Sequence, residues 1–269
     1  MEEFKEIMLD AYMHIELANK DTKPYFTGFE TLDSSIGKVK AGSIVIIGGR
    51  PAMGKTAFCT QIILNHTLQK DTPVAIYSFG ISKEMLVKRI LSTHAEIDTV
   101  RVNTGHMYSE DWIKLANTMG TLYDLPVFIE DKIPDICEPL ATSFFQKVNE
   151  INGLKYIFID DLDLILNPQY TNNTYESIQD FAKTTGVTVF ITSNISRKLE
   201  YKKDKRPLLT DLEVVKLNCA DLVLFIHRKD GGKSNKQGNT EIIIAKNRFG
   251  NTETINFNFD ACYMKFREI

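Results

Sequence analysis

One segment, SIVIIGGRPAMGKTAF (residues 43–58), constrains the fold more strongly than any other. It opens with a continuous apolar run, which is typical of a strand covered on both faces of a parallel sheet. The spacing Gly49-x4-Gly54-Lys55-Thr56 follows, and a helical pattern begins there. Glycines in such a turn let backbone N–H groups close around phosphate oxygens at the start of a helix. The segment therefore predicts a phosphate-binding loop in an α/β domain.

The residues of this loop have distinct expected roles. The Lys55 ammonium group would neutralise the β- and γ-phosphates, and the Thr56 hydroxyl would reach Mg²⁺. A glycine turn with a purely structural role does not explain the Lys-Thr pair. We expect nucleotide contacts along the whole loop, from Gly49, Arg50, Pro51, Ala52, Met53, Gly54, Lys55, Thr56 and Ala57.

Apolar runs and helical patterns alternate along most of the chain. Strands are expected at residues 43–49, 74–79, 126–131, 155–160, 187–193, 221–227, 241–246 and 254–259. Helices are expected at residues 2–19, 55–70, 82–97, 110–123, 137–151 and 174–185. Alternating strands and helices predict a twisted, mostly parallel sheet flanked by helices, and the closely spaced last strands predict an antiparallel extension. We expect residues 1–23 to form a linker helix and linker, and residues 24–269 to form one domain.

Charge, cysteine spacing and hydropathy limit the kinds of partner and location that we expect. The 269 residues carry a net charge of −3, so any DNA binding would need a local basic patch or the lumen of a ring. The four cysteines are not at metal-ligand spacing, and we expect mostly buried thiols in a reducing compartment. The acidic N-terminus does not resemble a signal peptide, and no apolar run approaches the ~20 residues needed to cross a bilayer. We expect a soluble, cytoplasmic protein with no membrane partner.

Polar residues follow three of the expected strands. Asp160 ends KYIFID, where a carboxylate could hold a Mg²⁺-bound water; a turn role is the alternative. Asn194 follows VFITS, where its amide could sense the γ-phosphate or could belong to a plain turn. Lys246 and Arg248 end a late strand in IIIAKNRFGN. An arginine there could reach the nucleotide of the next subunit in a ring, or it could form a solvated basic turn.

Several spaced motifs together resemble the C-terminal motor domain of the DnaB-type replicative helicases, which have a RecA-like P-loop ATPase fold. The resemblance covers about residues 24–266. It includes TGFETLD, the phosphate loop, AIYSFGISKEMLVKRILS, KRPLLTDL, ADLVLFIHRKD and EIIIAKNRFG. A RecA-like recombinase or a clock-type ATPase fits the order of KRPLLTDL and KNRFG less well.

This resemblance implies a function and a set of partners. It implies ATP with Mg²⁺ as cofactors, a hexameric ring of identical chains, and translocation along single-stranded DNA, with a replication loader or primase as a possible partner. Carried over residue by residue, Lys55 and Thr56 match the phosphate loop, and Asp160 matches the metal carboxylate. Lys246 and Arg248 match the pair that acts on the neighbouring subunit.

The chain departs from the family pattern around the nucleotide. Gly80 stands where the family has a glutamate that is presumed to activate water, and glycine cannot accept a proton. Asp161 and Asp163 stand where tyrosine and glutamine are usual, and Asn194 replaces a glutamine. The helix before residue 187 has room for about three turns and looks shorter than in the family.

The chain also departs from the family where DNA is expected. Residues 213–219, EVVKLNC, replace a glycine-containing Arg-Glu-Ser-Gly loop that lines the pore. Lys216 could still face the lumen. A basic segment, residues 197–206, could touch DNA, although such charged runs are usually only solvated.

Two hypotheses follow from these departures. In the first, Asp161 substitutes for the missing glutamate as catalytic base, because some P-loop ATPases keep the acid directly after the metal-binding aspartate; alternatively, Asp161 points away from the nucleotide. In the second, the chain is a weak or inactive nucleotide-binding module that acts by binding DNA or an intact helicase.

Overall fold

The fold is described from a computed structural model. It covers residues 26–70, 72–132, 150–166, 171–195, 204–228 and 238–269, with Met8, Tyr12, Val148 and Leu199. The expected N-terminal helix and most of the expected 137–151 helix lie outside the described residues. Among the described helices, none combines the length and the apolar character that a membrane span requires.

A single nine-stranded sheet organises the described residues, with strand order β3-β2-β4-β5-β1-β6-β7-β8-β9. The strands are β1 Ile44–Gly49, β2 Val74–Ser78, β3 Val127–Glu130, β4 Tyr156–Asp160, β5 Thr188–Asn194, β6 Leu222–Arg228, β7 Gly238–Asn247, β8 Thr254–Asp260 and β9 Lys265–Glu268. The first six are parallel, and β7, β8 and β9 pair antiparallel. The predicted parallel sheet with an antiparallel C-terminal extension is confirmed.

Helices cover both faces of this sheet. They are α1 Glu30–Ile36, α2 Lys55–Lys70, α3 Lys83–Ala95, α4 Thr99–Thr104, α5 Ser109–Leu122, α6 Thr171–Thr185 and α7 Val214–Cys219. Two buried clusters flank the sheet, one containing Phe58 and Phe190 and the other containing Ile46 and Tyr175. Because β1 is buried along its whole length, it is covered on both faces, as its apolar run predicts.

Some elements differ from the sequence-based expectation. Helix α6 has 15 residues, about four turns rather than three. Residues 214–219 form helix α7, where an open loop was expected. Helices α1 and α4 and strand β9 were not expected, because each has only four to seven residues and carries too little periodicity to stand out.

Candidate nucleotide-binding site

Parallel strand order brings the phosphate loop, Asp160 and Asn194 to one edge of the sheet. Strand β1 lies beside β5, and Gly49 pairs with Asn194 at their carboxyl ends. Strand β4 lies on the other side of β5 and ends at Asp160. Ligands of open α/β sheets bind outside the carboxyl ends of the strands. The topology therefore places three of the expected site segments together.

Thr56 and Asp160 meet at this edge as expected for a metal-binding pair. The Thr56 hydroxyl donates to Asp160 Oδ2 at 2.7 Å, and the Thr192 hydroxyl donates to Asp160 Oδ1 at 2.6 Å. Asp160 is 7% exposed, so these bonds hold its carboxylate in one orientation. Mg²⁺ is usually held by one or two carboxylates together with substrate phosphates. The donor set of a hydroxyl and a fixed carboxylate fits that ion.

The Lys55 ammonium group is held inside the loop. It donates to the carbonyl oxygens of Gly49 and Arg50 at 3.2 and 3.3 Å, and to Asn194 Oδ1 at 2.9 Å. Burial lowers the pKa of Lys55, and the carboxylates of Asp161 and Asp160 offset part of that shift. A partly desolvated cation at the start of helix α2 is a strong partner for phosphate oxygens.

A cleft of about 650 Å³ opens beside these groups, a volume within the usual range of ligand pockets. Five residues of the predicted loop line it: Ala52, Gly54, Lys55, Thr56 and Ala57. The other predicted loop residues lie around it. Gly49 and Arg50 present carbonyl groups to Lys55, Pro51 is exposed in the turn, and the Met53 side chain is buried in the core.

Gly54 illustrates why the loop needs glycine. Its φ is +98°, a value that L side chains rarely adopt. A Cβ atom there would lie 3.1 Å from Phe266 Cζ on strand β9. A side chain at this position would therefore strain the turn at the start of helix α2.

Asn194 bridges Lys55 and Asp161 at the tip of β5. Its side-chain oxygen accepts from the Lys55 ammonium group at 2.9 Å, and its side-chain nitrogen donates to Asp161 Oδ2 at 2.5 Å. Its backbone N–H donates to Asp163 Oδ2 at 3.0 Å. The predicted γ-phosphate sensor thus lies between the loop lysine and the aspartate that follows Asp160.

Asp161 lines the cleft together with Asp160 and Gly80. Burial, reinforced by the neighbouring Asp163 carboxylate, raises the pKa of Asp161 to about 6. A general base works best when its pKa lies near the working pH. Its place in the cleft and its raised pKa fit the expected base, although both of its oxygens accept hydrogen bonds, from Asn194 and from the Asp163 N–H.

Gly80 leaves open space in the cleft. It is exposed, and a Cβ atom built there would meet only Leu164 Cδ1, at 3.6 Å. Because that is ordinary van der Waals contact, the fold itself does not require glycine at this position.

Lys246 and Arg248 lie away from the cleft. Lys246 pairs with Val223 of β6, and the Arg248 N–H donates to the Asp221 carbonyl just before that strand. Asp221 in turn donates its N–H to the carbonyl of Ile44, the first residue of β1. Because β7 runs antiparallel, its end approaches the amino ends of the parallel strands, opposite the phosphate loop. Neither residue lines the cleft of its own chain.

The side chains of this pair are held differently. The Lys246 ammonium donates to the Leu217 carbonyl at 2.6 Å, and burial lowers its pKa. Arg248 forms a 2.7 Å ion pair with Asp221, and its side chain is 53% exposed. Arg248 is therefore available at the surface.

Part of the cleft lining was not anticipated from the sequence. This part combines two arginines, the start of α4 and the β8–β9 turn: Arg89, Asp98, Thr99, Val100, Arg228, Phe259, Ala261, Cys262 and Met264. Arg228 is 2% exposed, and its guanidinium lies 4.9 Å from the centre of the Phe259 ring. Arg89 lies in the motif AIYSFGISKEMLVKRILS, on the helix that follows the second strand. Its charge at that place is the one sequence feature that could have predicted this part of the cleft.

Lys216 does not face a lumen. Its side chain is 1% exposed, and its ammonium group lies 2.6 Å from Asp163 Oδ1. The possibility that Lys216 faces the lumen is contradicted, because residues 214–219 form a helix that turns this side chain inward. Of the basic segment 197–206, only Leu199 and residues 204–206 are described; Arg206 forms an ion pair with Glu241 at 3.3 Å.

Comparison with known proteins agrees with this geometry. Residues 25–268 match the family model described as the DnaB-like helicase C terminal domain. A probable replicative DNA helicase of Trieres chinensis is 33% identical over 98% of this chain and 62% of its own length. The chain thus spans about three-fifths of the length of this curated relative.

Solved structures give the same assignment. One solved ATPase domain is 27% identical, with a TM-score of 0.87, and the match covers 100% of this chain and 99% of that one. A DnaB-like replicative helicase, solved with its interactions with primase, has a TM-score of 0.86 at 27% identity, covering 100% of this chain and 67% of that one. With its RecA-like sheet, this chain belongs to the DnaB-like helicase C-terminal domain family.

Proposed function

We propose that this chain is the ATP-driven motor domain of a replicative DNA helicase. One observation carries the proposal: Thr56 and Asp160 share a 2.7 Å hydrogen bond at the mouth of a 650 Å³ cleft that Lys55 also lines. ATP would lie in this cleft, with its phosphates against the loop and Lys55. Mg²⁺ would be held by Thr56 and Asp160 and would neutralise phosphate charge.

Hydrolysis needs a group that takes a proton from water, and Asp161 fills that role in this proposal. It is the acid that lines the cleft directly after Asp160, and its pKa of about 6 suits a base near neutral pH. Asn194 would orient it and would sense the γ-phosphate through the amide that already contacts Lys55.

Arg248 and Lys246 would complete the site of the neighbouring subunit. Both lie outside their own cleft, and Arg248 is half exposed. A cation placed against the transferred phosphate stabilises transition-state charge and is typically worth about 10³–10⁵ in rate. This role requires a closed ring of identical chains, which we propose to be a hexamer around single-stranded DNA.

The proposed domain organisation and partners follow from the same family membership. Residues 1–23 would be the linker to a neighbouring subunit, and residues 24–269 the motor. A primase or a helicase loader would be a partner. The cytoplasmic location expected from the sequence belongs to the same proposal.

The direct test is an ATPase assay with and without single-stranded DNA, with calorimetry of ATP binding in the presence of Mg²⁺. DNA-stimulated turnover supports the motor. Tight ATP binding without turnover supports the inactive binding module, which rests on Gly80 and on the altered segment at residues 213–219. A well-folded protein with no affinity for ATP–Mg²⁺ contradicts both.

A further inference from the structure

The buried ammonium group of Lys216 has three polar neighbours. It donates to Asp163 Oδ1 at 2.6 Å and to Ser193 Oγ at 2.9 Å, and Glu213 Oε1 lies 3.5 Å away. A buried charge is costly unless it is paired and hydrogen-bonded. These contacts therefore fix helix α7, which carries Lys216, against the ends of β4 and β5.

The same contacts lead into the nucleotide site. The second oxygen of Asp163 accepts from the Ser193 hydroxyl and from the Asn194 N–H, at 3.1 and 3.0 Å. The Asn194 side chain then contacts both Lys55 and Asp161. A continuous set of hydrogen bonds thus joins Lys216 on α7 to the lysine of the phosphate loop.

Two of the sequence departures meet in this network. Asp163 stands where the family usually has glutamine, and Lys216 lies in the segment that replaces the usual pore loop. In the structure they are 53 residues apart in sequence and form one ion pair. The ammonium group of Lys216 therefore compensates the charge of Asp163 directly.

We infer that Lys216 is a positioning residue for the nucleotide site: through Asp163 it holds the tip of β5 so that the Asn194 amide lies between Lys55 and Asp161. This inference rests on the proposed function for its nucleotide readout. The Leu217 carbonyl of helix α7 also accepts a hydrogen bond from the Lys246 ammonium group. Helix α7 therefore contacts both the network that leads to the nucleotide site and the predicted trans-acting pair.

The test replaces Lys216 with methionine, which has a similar shape without the charge. In nucleotide-free protein, residue-resolved hydrogen exchange should show a faster-exchanging Asn194 backbone amide, because Asp163 loses the partner that holds it. Calorimetry should show the affinity for ATP–Mg²⁺ falling by roughly 5- to 150-fold, the usual range for coupling between sites. Lys216→Gln keeps a hydrogen-bond donor and is measured in parallel. It should change both readouts in the same direction but by less, so the inference can still be tested if the methionine variant folds poorly.

Two further variants separate positioning from general stability. Arg101→Met breaks another 2.6 Å ion pair, with Asp111, whose two residues do not line the cleft. It should lower the unfolding midpoint without changing ATP affinity or Asn194 exchange. Lys216→Met combined with Asp163→Asn removes both charges but keeps an acceptor for the Asn194 N–H, so affinity should recover. Failure to recover would overturn the route through Asp163.

The outcomes for the two claims are distinguishable. If the wild-type protein binds ATP–Mg²⁺ and Lys216→Met changes neither affinity nor exchange, the inference is overturned and the proposed function stands. If the wild-type protein binds no nucleotide, the proposed function fails, and Asn194 exchange alone still decides whether Lys216 positions this strand.

Discussion

Replacing Gly80 by glutamate asks whether a missing acid limits ATP hydrolysis. The structure allows the change, because a Cβ atom at this position meets only Leu164 Cδ1 at 3.6 Å and the residue is exposed. Its φ lies outside the left-handed region, so a side chain adds no backbone strain. The cost in folding stability should stay within about 0.5 kcal/mol, as for ordinary surface substitutions.

The effect on rate should be much larger than the effect on stability. A positioned general base contributes about 10²–10⁴ in rate, or about 3 to 5 kcal/mol of activation free energy. If Asp161 is the base, Asp161→Asn should lower turnover by that factor. Gly80→Glu should then restore turnover in the Asp161→Asn background, because both positions line the same cleft.

Steady-state ATP turnover of the four combinations, with saturating Mg²⁺ and single-stranded DNA, measures this. Gly80→Gln is the matched control, since it has the same shape without a basic oxygen pair. Asp161 is rejected as the base if Asp161→Asn turns over ATP at the wild-type rate. The missing-acid argument is refuted if ATP still binds but glutamate at position 80 changes the rate in neither background.

Three further predictions concern the trans-acting arginine, the packing under the loop and an acid-sensitive ion pair. Arg248→Ala should lower turnover of the assembled protein by about 10³-fold or more while leaving ATP affinity of a single chain unchanged, which calorimetry at low protein concentration checks. Gly48→Ala should lower the free energy of unfolding by about 1–3 kcal/mol through overpacking, because its Cβ would lie 2.6 Å from the buried Phe225 ring; urea denaturation beside Gly80→Ala, which should be nearly neutral, measures it. Hydrogen bonding to Lys265 lowers the pKa of Glu96, so the stabilisation by this carboxylate is present above its ordinary pKa of 4.5 and is lost as pH falls through the lower native value. Thermal unfolding of wild type and Glu96→Gln should therefore differ at pH 7 and converge in acid, and a difference that persists there would contradict the assignment.

The meeting of Thr56 and Asp160 could be predicted because strand order alone decides it. Each follows or ends an apolar strand, and parallel strands present their carboxyl ends at one edge of the sheet. The burial of Lys216 could not be predicted in the same way. A lysine in a short segment of seven residues looks solvated. Its partner Asp163 lies 53 residues earlier, beyond any local periodicity.

The part of the cleft lining formed by the β8–β9 turn could not be predicted from the sequence, for a different reason. Phe259 and Met264 belong to a stretch whose apolar residues look like ordinary core, and only the sheet order brings their turn over the phosphate loop. The position of Arg248, by contrast, followed from its place at the end of a late strand. Its role stays a prediction.

The length of strand β1 separates Arg248 from the phosphate loop of the same chain. Arg248 is linked through Asp221 to Ile44, whereas the phosphate loop leaves from Gly49, five residues and about 17 Å along the strand. A rigid sheet keeps that separation. If the proposed function holds, a single copy would therefore bind ATP without hydrolysing it. Turnover per molecule should then rise steeply as protein is concentrated, and dilution itself would act as the off state.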